Sequence, residues 1–168
     1  RKPSREPISF RPDGTIAEVE MTTQGVGGPM SPLLRMEASR ACLMSGNLWT
    51  TVRRPPHDTP VEYLTGIRNN DCAYWKYYDF NLADVNHFIC KTWDKNTEAR
   101  IEIRIDSPDG PLLGVCPVAA TQGNLAYAIH ETDIKPVHGK HALVLVFKGE
   151  EGKDLMNLEW FTFTRRKQ

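Results

Sequence analysis

Two small sets of acidic and histidine side chains have the types and spacing that could support catalysis. His138 and His141 flank a Gly-Lys turn, and Glu18 and Glu20 fall on one face of a short extended segment, as a carboxylate pair would. An active site also needs a walled pocket, or a nucleophile next to its base. The glutamates lie in a stretch without a hydrophobic pattern to build a pocket, and histidines at a turn are typical of solvated loops. The sequence therefore predicts no active site within these residues.

A second set combines aromatic rings with amide side chains: Trp49, Tyr63, Trp93, Asn124 and Asn157. Neutral sugar chains are recognised by flat rings that pack on the apolar face of a pyranose and by amides that exchange hydrogen bonds with hydroxyls. The set therefore indicates a polysaccharide-binding site. Each residue also has a structural interpretation, in which the rings fill a core and Asn157 bonds the backbone of its own loop.

The elements that must position these residues are short strands. RIEIRID alternates with Ile101, Ile103 and Ile105 on one face and ends in the turn SPDG. HALVLVFKG is apolar on both faces, as in a strand that is covered on both sides, and NLEWFTFT places Phe161 and Phe163 together. Only EASRACLM has the character of a helix, and it is short. The pattern predicts an all-β fold, a sandwich or a barrel.

The first 34 residues differ from the rest because they are rich in Pro, Gly, Ser and Thr and show no sustained period. We expect residues 1–34 to be a lead-in arm, with TIAEVEM as its one extended piece, and residues 35–168 to form the sandwich.

Charge and cysteine content restrict the partners. Lys and Arg number 21, as do Asp and Glu, so the formal net charge is zero. A balanced chain exerts no long-range attraction on a polyanion, so neither nucleic acid nor an anionic membrane is an expected partner. Cys42, Cys72, Cys90 and Cys116 include no CxxC pair, which favours buried thiols over a zinc site or a disulfide.

Several segments also follow one another in a specific order: YYDFN, ARIEIRIDSPDGPLLGVCPV, ATQGN, GKHALVLVFKG and MNLEWFTF. Their order and spacing resemble carbohydrate-binding module family 6, in the version appended to family 43 glycoside hydrolases. RPDGTIAEVEMTTQGVG, in the arm, resembles the link between the catalytic propeller of those enzymes and the module. The resemblance covers about Ile8 to Phe163 and implies a jelly-roll β-sandwich that binds plant cell-wall glycans such as xylan or arabinoxylan.

The resemblance also implies site residues. Two aromatic rings clasp a sugar in the loops at one edge of the sandwich, and an Asn just before the last strand binds it by hydrogen bonds; Asn157 matches that Asn. A structural calcium ion is implied near the first and last strands, with Glu37 and Glu159 as its acidic ligands.

Four positions depart from the family pattern. Asn124 replaces one clasping ring, and Gly66 stands where the other is expected, with Tyr63 three residues earlier as a substitute. Cys72 replaces a Trp, and Ser39 replaces a second calcium carboxylate. Loss of both rings weakens sugar binding by a few kcal/mol, and loss of a carboxylate weakens a calcium site.

The expected function is therefore that of a non-catalytic module of a secreted, extracellular or periplasmic, hemicellulose-degrading glycoside hydrolase. It would bind xylan or arabinoxylan through Asn157, Asn124, Tyr63 and Trp49, with the upstream catalytic domain of the same chain as its partner. The alternative is an accessory sandwich that packs on the catalytic domain and has lost sugar binding, which predicts an exposed apolar patch. A remoter alternative is a free-standing lectin-like or protein-interaction domain.

Overall fold

The computed structural model of the chain describes residues 5–54, 59–93, 97–120 and 127–166. Within them the chain forms eleven strands and one 3₁₀ turn, Ala38–Arg40. The strands are β1 Met36–Glu37, β2 Leu43–Met44, β3 Trp49–Arg53, β4 Val61–Thr65, β5 Cys72–Asp79, β6 His87–Trp93, β7 Ala99–Ile105, β8 Leu112–Val118, β9 Tyr127–Asp133, β10 Lys140–Gly149 and β11 Asn157–Thr164. The all-β fold expected from the sequence is confirmed, and the segment EASRACLM forms the 3₁₀ turn and β2 rather than an α-helix.

The strands form two antiparallel sheets that pack face to face as a β-sandwich. One sheet has the order β3-β4-β11-β6-β9, with β1 also paired to β11. The other has the order β2-β5-β10-β7-β8. Apart from β3–β4 and β7–β8, neighbouring strands are not consecutive in the chain, so both sheets depend on pairings between distant parts of the sequence.

The core lies between the sheets and is rich in aromatic rings. Its largest fully buried side chains include Trp75, Tyr78, Phe80, Phe88, Phe147, Phe161 and Phe163. Several meet edge to face, as in the 4.8 Å contact between Trp75 and Phe161, the arrangement that ring quadrupoles favour. Full burial of one such ring stabilises the fold by about 2–3 kcal/mol relative to its exposure.

The strands with the clearest sequence patterns occupy the predicted positions. Ile101, Ile103 and Ile105 of β7 are buried on the core side. β10 lies between β5 and β7 and is buried on both faces from Ala142 to Phe147. Apolar residues on both faces of that strand are therefore explained by its central place in the sheet.

The last strand, β11, holds the central place in the first sheet. Leu158, Phe161 and Phe163 face the core, and a register irregularity against β6 falls between Leu158 and Trp160. Asn157, immediately before Leu158, therefore lies on the outer face of the sheet.

The second half of the arm is hydrogen-bonded to the sandwich along β5. The backbone N–H of Thr23 donates to the carbonyl of Lys76 at 2.7 Å, and that of Met30 donates to the carbonyl of Tyr77 at 2.8 Å. Glu20 accepts hydrogen bonds from the side chains of Lys76 and Tyr77. The predicted boundary at residue 35 thus follows a segment that is already attached to the sandwich.

Large apolar side chains remain exposed in this same arm: Ile8, Phe10, Ile16, Val19, Met21, Val26, Leu33 and Leu34.

The four cysteines are free thiols, three of them buried, as expected. None of the helices in the described ranges is long and apolar enough to cross a membrane.

Candidate functional site

Asn157 is positioned by the pairing of β11 with β4. Leu158 is opposite Leu64, which places Asn157 beside Thr65 on the outer face. The Thr65 hydroxyl donates to Oδ1 of Asn157 at 2.6 Å. Asn157 is 8% exposed, and its Nδ2 donates no hydrogen bond within the described part of the chain. The side chain is thus held by Thr65 rather than by its own loop backbone, and no acceptor among the described residues occupies its two N–H donors.

Trp49 lies next to this amide because β3 pairs with β4. Trp49 is opposite Thr65, and its indole is 54% exposed. A Cβ atom on Gly66 would lie 3.0 Å from Cδ1 and Nε1 of Trp49 and 2.5 Å from the carbonyl oxygen of Asn47. Gly66 also has a φ of +70°, a conformation that glycine adopts without strain. The indole therefore rests against the α-carbon of Gly66, where a side chain at position 66 would otherwise project.

We call the surface formed by Trp49, Thr65, Gly66 and Asn157 the edge site. It combines one exposed flat ring with an oriented amide whose N–H donors have no partner among the described residues. This is the chemistry that suits a neutral pyranose: the ring packs on the apolar face of the sugar and the amide binds its hydroxyls.

Tyr63 and Trp93 lie on the same outer face and do not form an exposed platform. Their rings meet edge to face, with centroids 4.5 Å apart. Trp93 is only 5% exposed, although it is opposite Asn157 in the pairing of β6 with β11. Burial raises the pKa of the Tyr63 phenol, with Arg53 acting in the opposite direction. Trp49, and not Tyr63, lies against Gly66, while the sugar-binding role of Tyr63 stays a prediction.

The two predicted calcium ligands each lie beside a basic side chain. Glu37 pairs with Arg35 at 2.7 Å, and Glu159, which is buried, has the ammonium of Lys91 3.1 Å from Oε1 and 3.0 Å from Oε2. Calcium takes roughly six to eight oxygen ligands, several of them charged. In the described ranges no group of three or more His, Cys, Asp or Glu side chains could hold a metal ion. Both carboxylates already have a cationic partner, an arrangement that disfavours calcium, and the calcium site stays a prediction.

Asn124, one of the predicted sugar-binding residues, falls in residues 121–126, outside the described residues, so its role stays a prediction. The sequence reasoning missed Thr65, which orients Asn157, and it missed Arg53 and Tyr127, which cover Trp93. The alternation in VEYLT, with Tyr63 and Thr65 on one face, is the signal that could have indicated Thr65.

Comparison with known proteins adds independent findings. The sequence model of carbohydrate-binding module family 6 matches residues 50–165. The chain is 34% identical to a family 6 carbohydrate-binding module from Clostridium cellulolyticum, solved in complex with xylose. That structure aligns with a TM-score of 0.70 over 81% of this chain and 100% of its own.

Two longer proteins match almost the whole chain. An arabinoxylan arabinofuranohydrolase of Paenibacillus polymyxa is 32% identical over 98% of this chain, which spans 26% of that protein. The crystal structure of a family 43 arabinoxylan arabinofuranohydrolase from Bacillus subtilis, in complex with cellotetraose, is 28% identical over 96% of this chain and 33% of its own, with a TM-score of 0.75. The chain thus corresponds to about a quarter to a third of these enzymes.

Proposed function

Because the chain belongs to carbohydrate-binding module family 6, we propose that its edge site binds xylan or arabinoxylan, as a non-catalytic module of a hemicellulose-degrading glycoside hydrolase. Carbohydrate binding follows from membership of the family. The particular polymer, the site and the catalytic partner are the proposal. A cell-wall polymer lies outside the cell, so the proposed location is extracellular or periplasmic.

The observation that carries the edge site is the position of Trp49 against Gly66, next to the amide of Asn157. The family pattern places an aromatic ring at position 66, and this chain supplies one from the neighbouring strand instead. The exposed indole can pack on one face of a sugar while Nδ2 of Asn157 donates to its hydroxyls. The absence of a ring at position 66 therefore does not remove the sugar-binding surface, because Trp49 provides one.

Two considerations favour a xylan-type polymer. The edge site includes no charged side chain, which suits a neutral chain of hydroxyl-rich rings. The relatives that match nearly the whole chain are named for action on arabinoxylan, and the similar isolated module was solved with xylose.

Isothermal titration of the chain with xylohexaose, arabinoxylan and cellohexaose tests the proposal. We expect a dissociation constant tighter than about 1 mM for the xylan-type ligands. The variant Trp49→Ala should weaken binding by about tenfold, because an aromatic contact contributes roughly 1 kcal/mol or more. Trp160→Phe is the matched control, since Trp160 packs against Arg35 away from the edge site. Absence of heat with every ligand, or equal binding by Trp49→Ala, would refute the edge site.

The exposed apolar side chains of the arm favour a second function, in which the chain packs on a catalytic domain. An exposed apolar stretch of this length marks an interaction surface. The isolated module from Clostridium cellulolyticum covers 81% of this chain, whereas the Bacillus subtilis enzyme covers 96%. This role and sugar binding at the edge site are compatible, because they use different surfaces.

Hydrogen–deuterium exchange separates the two roles. We expect the amides of the arm to exchange more slowly in a chain that includes the catalytic domain than in residues 1–168 alone, while the amides around Asn157 do not change. Equal exchange of the arm in both proteins would refute the packing role and leave the edge site untouched.

A further inference from the structure

Two of the four cysteines meet across the core of the sandwich. Cys90 lies on β6 of the first sheet and Cys116 on β8 of the second. Both side chains are fully buried and belong to the same core cluster. A hydrogen bond joins their thiols, and this bond, with burial, raises the pKa of Cys90. The spacing of the cysteines in the sequence gave no sign of this pair, which only the fold creates.

The other two thiols have oxygen partners. Sγ of Cys42 donates to the carbonyl of Tyr74 at 3.4 Å. Sγ of Cys72, on the opposite face of the second sheet from the core, lies 3.3 Å from the hydroxyl oxygen of Ser45. Neither arrangement places two sulfur atoms together, so the cross-core pair differs in kind from the remaining cysteines.

The two sheets converge on the side of the sandwich where the pair lies. β8 and β9 are the last strands of their sheets, and the backbone N–H of Lys135, just after β9, donates to the carbonyl of Leu113 on β8 at 2.8 Å. Gly114 makes room for this approach, because a Cβ atom there would lie 2.8 Å from the carbonyl oxygen of Asp133. Stacked sheets lie about 10 Å apart, whereas the α-carbons of a disulfide are seldom more than about 7 Å apart. The convergence therefore favours a covalent bond between the two thiols.

We propose that Cys90 and Cys116 form a disulfide site, which is oxidised while the chain folds and then fastens the two sheets to each other. The oxidant class is a low-molecular-weight disulfide of the glutathione type. One cysteine thiolate attacks the oxidant and releases one thiol, and the second thiolate then displaces the other half from the mixed disulfide. The chain loses two hydrogen atoms and gains one S–S bond, while the oxidant is reduced to two thiols. The free thiols described above are the reduced form of this site.

Burial determines when the bond forms. The thiolate, not the thiol, attacks a disulfide. Both side chains are 0% exposed, and the raised pKa of Cys90 leaves little thiolate in the folded chain. We therefore expect oxidation before the sheets close over Cys90 and Cys116, and protection of the bond from reductants afterwards. Oxidation in the organism rests on the proposed extracellular or periplasmic location, where disulfides form and persist.

The bond would join two sheets that otherwise depend on non-covalent packing and backbone hydrogen bonds. The loop that it closes contains all of β7. Restriction of such a loop in the unfolded chain is the main source of disulfide stabilisation in the chain-entropy account. For a domain of this size, we expect the thermal midpoint of unfolding to rise by about 5–10 °C when the site is oxidised.

Oxidative refolding of the purified chain tests the site directly. The chain is unfolded in guanidinium, refolded in a mixture of oxidised and reduced glutathione, and compared with a sample refolded in dithiothreitol. Digestion should then yield two peptides linked through Cys90 and Cys116, while Cys42 and Cys72 stay unlinked to either of them. Four reduced thiols after oxidative refolding, or a bond from Cys90 or Cys116 to Cys42 or Cys72, would overturn the proposal.

A variant without the other two thiols isolates the pair. Cys42→Ala/Cys72→Ala keeps Cys90 and Cys116, and on oxidation we expect its mass to fall by about 2 Da and its thermal midpoint to rise by about 5–10 °C. Cys90→Ala in this background is the matched control, and its midpoint should not depend on the redox state. If that control folds poorly, Cys116→Ala leaves the other thiol alone and serves in its place. Equal midpoints of the oxidised and reduced pair would refute the fastening of the sheets.

Oxidation of the folded chain tests the protection by burial. Oxidised glutathione added without denaturant should form the bond at least about tenfold more slowly than during refolding, because the sheets must open first. Equal rates would contradict this protection. Neither experiment involves a sugar, so a failure of the disulfide site and a failure of sugar binding at the edge site are distinguishable.

Discussion

At the scale of single residues, the edge site depends on how two neighbouring strands fix an amide and a ring. The Thr65 hydroxyl sets the orientation of Asn157, and the absence of a side chain at Gly66 makes room for the Trp49 indole. Thr65 and Gly66 affect sugar binding without touching the sugar, because they position Asn157 and Trp49, which do touch it.

Asn157→Asp tests the amide with almost no change in shape. The carboxylate can still accept the hydrogen bond from Thr65, but it has no N–H donors. We expect the affinity for xylohexaose to fall by about tenfold, because two hydrogen bonds contribute roughly 1 kcal/mol or more. The free energy of unfolding should fall by about 1–3 kcal/mol, because the new carboxylate is largely buried. Isothermal titration and chemical denaturation measure both quantities, and unaltered affinity would exclude Nδ2 as a sugar ligand.

Gly66→Ala tests the close approach of Trp49. A Cβ atom would lie 2.5 Å from the Asn47 carbonyl oxygen, at a φ of +70°, so we expect a loss of about 2 kcal/mol or more in unfolding free energy. Gly14→Ala is the matched control. Gly14 has a φ of +83° with nothing within 4 Å of a Cβ atom, so it should lose only about 1 kcal/mol. Equal losses in urea denaturation would mean that residue 66 and Trp49 are not in contact.

At the scale of elements, two attachments hold the arm and the last strand in place. Glu20 joins the arm to Lys76 and Tyr77 on β5, and Lys91 on β6 neutralises the buried carboxylate of Glu159 on β11. The arm attachment is exposed and the β6–β11 pair is largely buried. They should therefore respond differently to mutation and to pH.

The arm attachment should weaken in acid. Hydrogen bonds from Lys76 and then from Tyr77 lower the pKa of Glu20, while the bond to Glu20 raises the pKa of Tyr77 to about 12. A carboxylate with a lowered pKa stabilises the attached state above its ordinary pKa, and this contribution is lost as the pH falls through the lowered value. Limited proteolysis of the arm should therefore accelerate below about pH 4. Glu20→Gln should remove that pH dependence, and a variant that keeps it would contradict the assignment.

Lys91→Met should leave the carboxylate of Glu159 buried without a cation. We expect the unfolding free energy to fall by about 2–3 kcal/mol, near the lower end for a broken buried pair, because Lys91 is partly exposed.

With Lys91 present, neither calcium nor a chelator should move the thermal midpoint of unfolding by more than about 1 °C, since a ligand that does not bind the native state does not stabilise it. A drop of several degrees with chelator would restore calcium as a structural ion.

At the scale of the whole molecule, the sequence predicted the sandwich better than the site. Alternation in β7 and the apolar run of β10 follow directly from burial on one face or on both, so these strands were predictable. Trp49 was named from the sequence as a candidate for sugar binding, but its place against Gly66 was not predictable. It depends on the register of β3 against β4 and on the left-handed backbone of Gly66, which no local pattern encodes. The burial of Trp93 was equally unpredictable from the sequence, because Arg53 and Tyr127 reach it from strands on opposite sides of the sheet.

The measurement that tests the edge site most directly is an NMR titration of the isotopically labelled chain with xylohexaose, followed at the side-chain amide of Asn157 and the indole of Trp49. The edge site predicts saturable shifts of both signals with one dissociation constant. Shifts confined to other residues, or none up to about 10 mM sugar, would contradict it.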